Sequence, residues 1–170
     1  CSSYLKIDIG AAAIRNQKRF NGKRVLTLSG ERAEESSARA NYNILEPDRA
    51  DKRDGKVARL VDRLRPVKEW AEIDVWNIIA KYKIIVHPAY YLGWGRVSCM
   101  FCIFGNANQW ASANVVAPKG TSKISDYEEE FKFTIKRKES VKDLIQKGKP
   151  YESITEELIK LAMGQEYSES

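Results

Sequence analysis

The residues with the clearest capacity for chemistry lie between His87 and Trp110, in the stretch HPAYYLGWGRVSCMFCIFGNANQW. The chain has one histidine and three cysteines, and this stretch holds the histidine and two of the cysteines, Cys99 and Cys102. A Cys-x-x-Cys pair allows two thiolates to reach one metal ion from a turn. Zinc and iron–sulfur sites normally have four ligands, so Cys1, together with His87 or an upstream cysteine, would have to complete such a site. The same spacing also fits a pair of buried apolar cysteines or a redox dithiol.

The residues around this pair suggest a shaped loop. His87 precedes Pro88, which favours an extended backbone, and we expect His87 at the end of a strand formed by KIIV. A lone histidine can act as a ligand or base, but it is more often a hydrogen-bonded structural residue. Gly93 and Gly95 permit a tight turn or a close backbone approach, and Arg96 gives that turn a charge suited to an anion.

A second candidate site is the segment GERAEESSAR, Gly30 to Arg39. The apolar run RVLTLSG before it predicts a buried strand, and the residues after it predict a helix with Arg32 and Arg39 near one face. In α/β sheets, ligands bind at the carboxyl ends of strands, and guanidinium groups offer paired donors to phosphate or sulfate. The alternative is a solvated helix with internal Glu–Arg ion pairs.

The remaining sequence supplies elements that could position these residues. Periodicity and turn residues predict helices over Tyr4–Phe20, Glu31–Asn41 and Trp70–Tyr82, and strands at Arg24–Gly30 and in ARLVDRLRPV. The helix over Trp70–Tyr82 should have a buried stripe of apolar side chains. The charged segment Pro47–Lys56 should be a solvated loop. After Pro118, three helices are expected, with capping boxes at Ser140/Asp143 and Ser153/Glu156.

Composition limits the classes of protein. The length of 170 residues suits one domain, and no apolar run approaches the roughly 18 residues of a membrane span. The net charge of +6 is dispersed among acids, which favours an anionic ligand over a dedicated nucleic-acid arm, with nucleic acid retained as an alternative substrate. The cysteines lack disulfide-like spacing, which predicts a cytoplasmic location. We expect the opening at Cys1 to reflect truncation rather than a lipoprotein leader.

Four segments in order carry a family resemblance: CSSYLK, LTLSGERAEESSAR, RPVKEWAEIDVWNII and IIVHPAYYLGWGRVSCMFC. Together they resemble the phosphoadenosine phosphosulfate (PAPS) reductase family of adenine nucleotide alpha-hydrolase-like enzymes, especially the PAPS-reductase-like proteins of bacteria, phages and mobile elements. The resemblance covers about Cys1 to Trp110. It implies an α/β, three-layer fold with a parallel sheet that lacks its N-terminal nucleotide-loop half. Residues 1–117 would be the C-terminal part of the family domain, and residues 118–170 a helical extension.

The resemblance also implies roles for particular residues. The nucleotide and sulfate pocket would be lined by Gly30, Arg32, Ser36 and Arg39, with Lys6 and Arg96 facing the anion. A four-iron four-sulfur cluster, or zinc as the alternative, would be held by Cys1, Cys99 and Cys102. The loop that closes the site would include His87, Tyr90 and Gly93. The side chains of Pro66, Trp70, Asp74 and Trp76 are expected to be structural.

Two departures from the family pattern bear on function. The phosphate-binding loop Ser-Gly-Gly-x-Asp-Ser is not in this sequence, and no cysteine follows Cys102, where assimilatory reductases carry a reactive one. The resemblance implies an enzyme that binds an adenylated nucleotide (PAPS, APS or ATP) and reduces or transfers sulfur, with a thiol reductant protein as partner. The alternatives are a sulfurtransferase or ATP pyrophosphatase acting on DNA or tRNA, and a non-catalytic, metal-dependent binding module.

Overall fold

The computed structural model describes residues 3–164, which divide into two compact units. The first unit ends at Ile84 and the second begins at Ile85, so the cysteine-containing loop belongs to the second unit together with the C-terminal helices. Compact units and family domains need not share a boundary. The division into a family domain at 1–117 and an extension at 118–170 therefore stays a prediction.

The first unit contains a three-stranded sheet, made of β1 (Arg24–Leu28), β2 (Leu45–Pro47) and β3 (Leu60–Leu64) in the order β1–β3–β2. β1 and β3 are parallel, with Val25 opposite Val61. This confirms the mixed α/β class and both predicted strands. The expectation of a parallel sheet is wrong for β2, which runs antiparallel to β3. The segment 48–59 between these strands contains no helix that could serve as a crossover, so the chain returns in the opposite direction. The three-layer arrangement stays a prediction.

The sheet packs on a small core beside the first helix. A π-helical turn, Ser3–Ile7, leads into α1 (Asp8–Asn16), and a 3-10 turn at Lys18–Phe20 ends the predicted helical region. The buried residues Ala11, Ala50 and Val61 form the core. Because Ala50 lies in the segment predicted to be a solvated loop, that prediction is wrong for this position.

Two predicted helices of the first unit differ from expectation. The helix predicted over residues 31–41 is interrupted by the extended backbone of Ser36, which separates a 3-10 turn, Ala33–Glu35, from α2 (Ser37–Ala40). The hydroxyl of Ser36 accepts a hydrogen bond from Arg39 N–H at 3.2 Å and so caps α2. The helix α3 (Glu72–Lys81) forms as predicted, but its buried stripe does not, because none of its residues is buried.

The second unit is helical. It contains a loop over residues 85–106 with a 3-10 turn at Pro88–Tyr90, followed by four helices. These are α4 (Ala107–Val116), α5 (Pro118–Phe131), α6 (Val141–Lys147) and α7 (Glu156–Met163). The three helices expected after Pro118 are therefore confirmed, whereas the strand expected at KIIV is not formed. Within the described part of the chain, no helix combines the length and apolar character needed to span a membrane.

Two apolar clusters stabilise the second unit. One contains the buried residues Leu92, Trp94, Ala113 and Val116, and the other contains Trp110, Val141 and Leu144. The capping box of Ser140 and Asp143 is confirmed at the start of α6. The one predicted for Ser153 and Glu156 is wrong, because Thr155 caps α7 by accepting a hydrogen bond from Leu158 N–H.

Gly93 provides a test of how the loop packs near α7. Its φ is +96°, and a Cβ at this position would lie 2.7 Å from Ser153 Oγ and 3.0 Å from Tyr151 Cβ. We expect Gly93→Ala to lower the free energy of unfolding by about 1–3 kcal/mol, because it adds both backbone strain and a steric clash. Urea unfolding measures this.

Gly95→Ala is the matched control, because a Cβ there would meet nothing within 4 Å. We expect its unfolding midpoint to equal that of the unaltered protein. An equal loss of stability in both variants would contradict the packing described for Gly93.

Candidate functional site

A cleft of about 330 Å³ lies between α1 and the carboxyl end of β1 in the first unit. This volume is within the range of small-molecule sites. α1 and the turn before it contribute an apolar wall, which includes Ala11 and Ile14. The polar lining consists of Lys6, Thr27, Ser29, Glu31, Asp48 and Arg63. The cleft therefore lies where ligands bind in α/β sheets, at the end of a strand.

Asp48 and Arg63 form a buried ion pair at this cleft. Arg63 donates from Nε and Nη2 to Asp48 Oδ2, at 2.8 and 2.5 Å, and Thr27 Oγ1 donates to the same oxygen at 3.3 Å. Burial, the largest single influence, raises the pKa of Asp48, but the hydrogen bond from Ala50 N–H and the Arg63 guanidinium outweigh it and hold the pKa below its ordinary value. Asp48 therefore stays ionised, and its charge neutralises Arg63.

Arg65 joins three parts of the chain beside the cleft. Its side chain is only 4% exposed and forms ion pairs with Glu31 at 2.5 Å and Glu46 at 2.8 Å. It also donates to the carbonyl oxygen of Asn43 at 2.8 Å, and its guanidinium carbon lies 4.6 Å from the centre of the Tyr42 ring. The loop after β1, the turn before β2 and β2 itself are therefore held to the end of β3.

The charge of Glu31 is maintained by this network. Burial has the largest influence and raises the pKa of Glu31, but the hydrogen bond and charge of Arg65, with a hydrogen bond from Ser29, bring it below its ordinary value. The acidic partners of Arg63 and Arg65 were not predicted from the sequence. The pattern RLVDRLRP was a usable signal, because arginines within a strand that packs on a core require acidic partners.

The predicted binding segment, Gly30 to Arg39, is held by internal ion pairs. Arg32 Nη1 lies 2.7 Å from Glu34 Oε2 and donates to the carbonyl oxygen of Trp70 at 3.3 Å, and Arg39 pairs with Glu35. These contacts match the alternative of internal Glu–Arg pairing. Neither guanidinium lines the cleft. An anion at Arg32 or Arg39 would have to displace a glutamate.

The other predicted binding residues of the first unit are Lys6, Gly30 and Ser36. Lys6 is exposed, lines the cleft and has no ion-pair partner among residues 3–164. Gly30 is exposed, with no atom near the position of a Cβ. Ser36 acts as the cap of α2. Of the predicted binding residues, Lys6 is therefore the cation that lines the cleft.

The loop of the second unit holds the remaining candidates. His87 is exposed, and its Nδ1 accepts a hydrogen bond from Ala89 N–H at 3.1 Å, as expected for a structural histidine that caps a 3-10 turn. The backbone N–H of Tyr90 donates to the carbonyl oxygen of His87 at 3.0 Å. Arg96 is exposed and unpaired within the described residues. Cys99 is an exposed free thiol, whereas Cys102 is buried.

These thiols supply an incomplete donor set for a metal. Across residues 3–164, no three His, Cys, Asp or Glu side chains lie close enough together to hold a metal ion. Cys1, the third predicted ligand, lies outside the described residues. The described residues therefore do not by themselves fit an iron–sulfur cluster or a zinc site, and the metal stays a prediction that depends on Cys1 and a further ligand.

More than half of the chain matches a known protein family. Residues 2–104 match the phosphoadenosine phosphosulfate reductase domain. An uncharacterized 37.8 kDa protein in the gpa 5′ region of Escherichia phage 186 is 31% identical over 104 residues, which is 61% of this chain and 29% of that protein. The chain thus spans less than a third of that relative. No solved structure gives a significant match.

The Arg65 ion pairs can be tested by substitution. We expect Arg65→Met to lower the free energy of unfolding by roughly 2–4 kcal/mol, because it leaves two partly buried carboxylates without their cation. Arg49→Met removes an ion pair with Asp8 whose two side chains are 48% and 36% exposed, and it should leave the unfolding midpoint unchanged. If urea unfolding gave the same small effect for both variants, Arg65 would not hold the loops of the first unit.

Proposed function

Because the chain belongs to the phosphoadenosine phosphosulfate reductase family, we propose that it binds an adenylated nucleotide and takes part in enzymatic chemistry at sulfur. The observation that carries this proposal is the family match over residues 2–104, a range that includes the cleft at the end of β1. PAPS, APS and ATP are the candidate substrates. Each has an adenosine linked to phosphate or sulfate, so each needs a cationic subsite.

The charge pattern of the cleft supports an anion subsite at Lys6. Asp48 is paired with Arg63, and Glu31 shares Arg65 with Glu46. Lys6 lines the same cleft and has no such partner in the described part of the chain. A phosphate or sulfate that enters would therefore meet one unmatched positive charge. Cations held in place in this way also stabilise charge that develops during a reaction.

Arg32 and Arg39 are proposed as further anion ligands, with Gly30 and Ser36 in the same segment. For this, each arginine would exchange its glutamate for the ligand. Of the two arginines, Arg32 has the more firmly held side chain. It is only 13% exposed and donates a hydrogen bond to the Trp70 carbonyl oxygen. Arg96, with no competing carboxylate among the described residues, is proposed as a further anion ligand.

The reaction is proposed to be reduction or transfer of the sulfur group. For reduction, a thiol reductant protein would supply the two electrons by forming a disulfide. Reduction of PAPS or APS would break the bond between sulfur and the bridging oxygen and release sulfite and the nucleotide. ATP contains no sulfur, so with ATP the nucleotide would activate an acceptor and a separate sulfur donor would supply the sulfur. In either case the chain's own residues bind the anion and orient it.

The nucleotide proposal is tested by calorimetric titration of PAPS, APS and ATP into the purified protein. We expect at least one to bind saturably, and Lys6→Ala to weaken that binding about tenfold, the effect of losing a charge-assisted hydrogen bond. Lys18→Ala is the matched control, because Lys18 is an exposed cation outside the cleft. No saturable binding, or an equal effect of both variants, would contradict the proposal.

We also propose that Cys99 and Cys102 are ligands of a four-iron four-sulfur cluster with Cys1, with zinc as the alternative. The free state of both thiols supports this proposal. Anaerobically purified protein should contain iron and acid-labile sulfide in stoichiometric amounts, and Cys99→Ser and Cys102→Ser should each lose them. If the protein contained zinc and both variants lost it, the cysteines would form a structural zinc site. Protein purified without any metal would contradict the proposed metal site.

A further inference from the structure

We propose that a surface segment of the second unit, residues 127–138, binds single-stranded nucleic acid. This segment, the aromatic–basic segment, contains the end of α5 and the turn that follows, and it lies outside the range matched by the family. Its sequence, YEEEFKFTIKRK, places Lys132 between two phenylalanines and ends in three consecutive basic residues. The proposal adds a macromolecular ligand to the small nucleotide proposed above and does not depend on it.

The aromatic side chains of this segment are unusually exposed. Phe133 is 82% exposed, Phe131 63% and Tyr127 43%. Tyr127 and Phe131 lie one helical turn apart, with ring centroids 5.8 Å apart and ring planes within 21° of parallel. With Ile124 and Ile135 they line a shallow groove of about 240 Å³. An exposed apolar patch of this kind commonly marks an interaction site.

Several cations lie in the same segment as the aromatic rings. Lys132, Arg137 and Lys138 are exposed and have no carboxylate partner among residues 3–164. Lys123 Nζ lies 5.7 Å from the centre of the Tyr127 ring. These side chains remain available for a negatively charged ligand.

The nearby glutamates are mostly engaged elsewhere. Both carboxylate oxygens of Glu128 accept backbone hydrogen bonds, from Ile135 N–H at 2.7 Å and Val141 N–H at 2.9 Å. Glu129 pairs with Lys142 at 2.6 Å and Glu139 with Lys147 at 3.0 Å. Asp126 and Glu130, on the preceding turns of α5, are the remaining acids. The turn after α5 therefore has a local excess of positive charge.

The pairing of flat rings with cations favours one kind of ligand. Single-stranded nucleic acid presents unpaired bases that stack on aromatic side chains and phosphates that bind cations. A duplex would use the cations but would keep its base faces hidden. An apolar protein partner would cover the rings but would leave the cations unmatched. No contact in this arrangement requires a 2′-hydroxyl group, so DNA and RNA strands should bind alike.

Fluorescence anisotropy with labelled oligo(dT) of about 15 nucleotides tests the proposal on the full chain. We expect Phe133→Ser to weaken binding about tenfold, the loss of one stacked base. Phe104→Ser is the matched control, because Phe104 is 75% exposed in the same unit but lies outside the segment. Arg137→Ser should reduce the slope of log affinity against log salt by about one.

Several outcomes would overturn the proposal. Equal effects of Phe133→Ser and Phe104→Ser would show binding without the segment, and a duplex that binds as tightly as oligo(dT) would show charge attraction alone. If Phe133→Ser changed only the sedimentation behaviour of the protein, the surface would be a protein interface. Binding of oligo(U) equal to that of oligo(dT) would support base stacking. Nucleotide titration of Phe133→Ser should match that of the unaltered protein, which separates this proposal from the cleft.

Discussion

The burial of arginine side chains along and beside β3 is the constraint on which the first unit depends. Its apolar core is small, with three buried residues that include two alanines, so ion pairs must contribute to holding the loops. A buried guanidinium is tolerated only where carboxylates and carbonyl groups replace its hydration. Arg65 satisfies this requirement through Glu31, Glu46 and the Asn43 carbonyl oxygen. The paths of the connections on both sides of β2 follow from that requirement.

This constraint also determines the electrostatics of the cleft. Because Asp48 and Glu31 are paired with arginines and their pKa values are lowered, the acids at the strand end stay ionised and matched. Lys6 then provides the charge that remains available in the cleft. The arginines of the Gly30–Arg39 segment differ from Lys6, because their charges are already used by neighbouring glutamates. Anion binding there would be a competition between carboxylate and ligand, whereas at Lys6 it would not.

The second unit is stabilised by a different interaction, the packing of aromatic side chains. Trp94 meets Tyr151 edge to face with ring centroids 5.3 Å apart, and Phe101 stacks on Trp110 at 6.1 Å. These contacts hold the loop over residues 85–106 against α4 and the segment before α7, and Gly93 permits the close approach. In this loop Cys102 is buried, whereas Cys99 is exposed. The aromatic rings of Phe131 and Phe133 do not take part in this core.

The features that depend on neighbouring residues could be predicted from the amino-acid sequence. The strands β1 and β3, the helix α3, the helices after Pro118 and the capping box at Ser140 all follow local patterns of apolar spacing and capping. The family resemblance was likewise carried by motifs, and the family match confirms it. The antiparallel direction of β2, the break at Ser36, the burial of Asp48 and Ala50, and the incomplete burial of α3 became visible only in three dimensions. The burial of Asp48, for example, depends on Arg63, a partner distant in sequence, and the energy of such pairs is absent from local propensity.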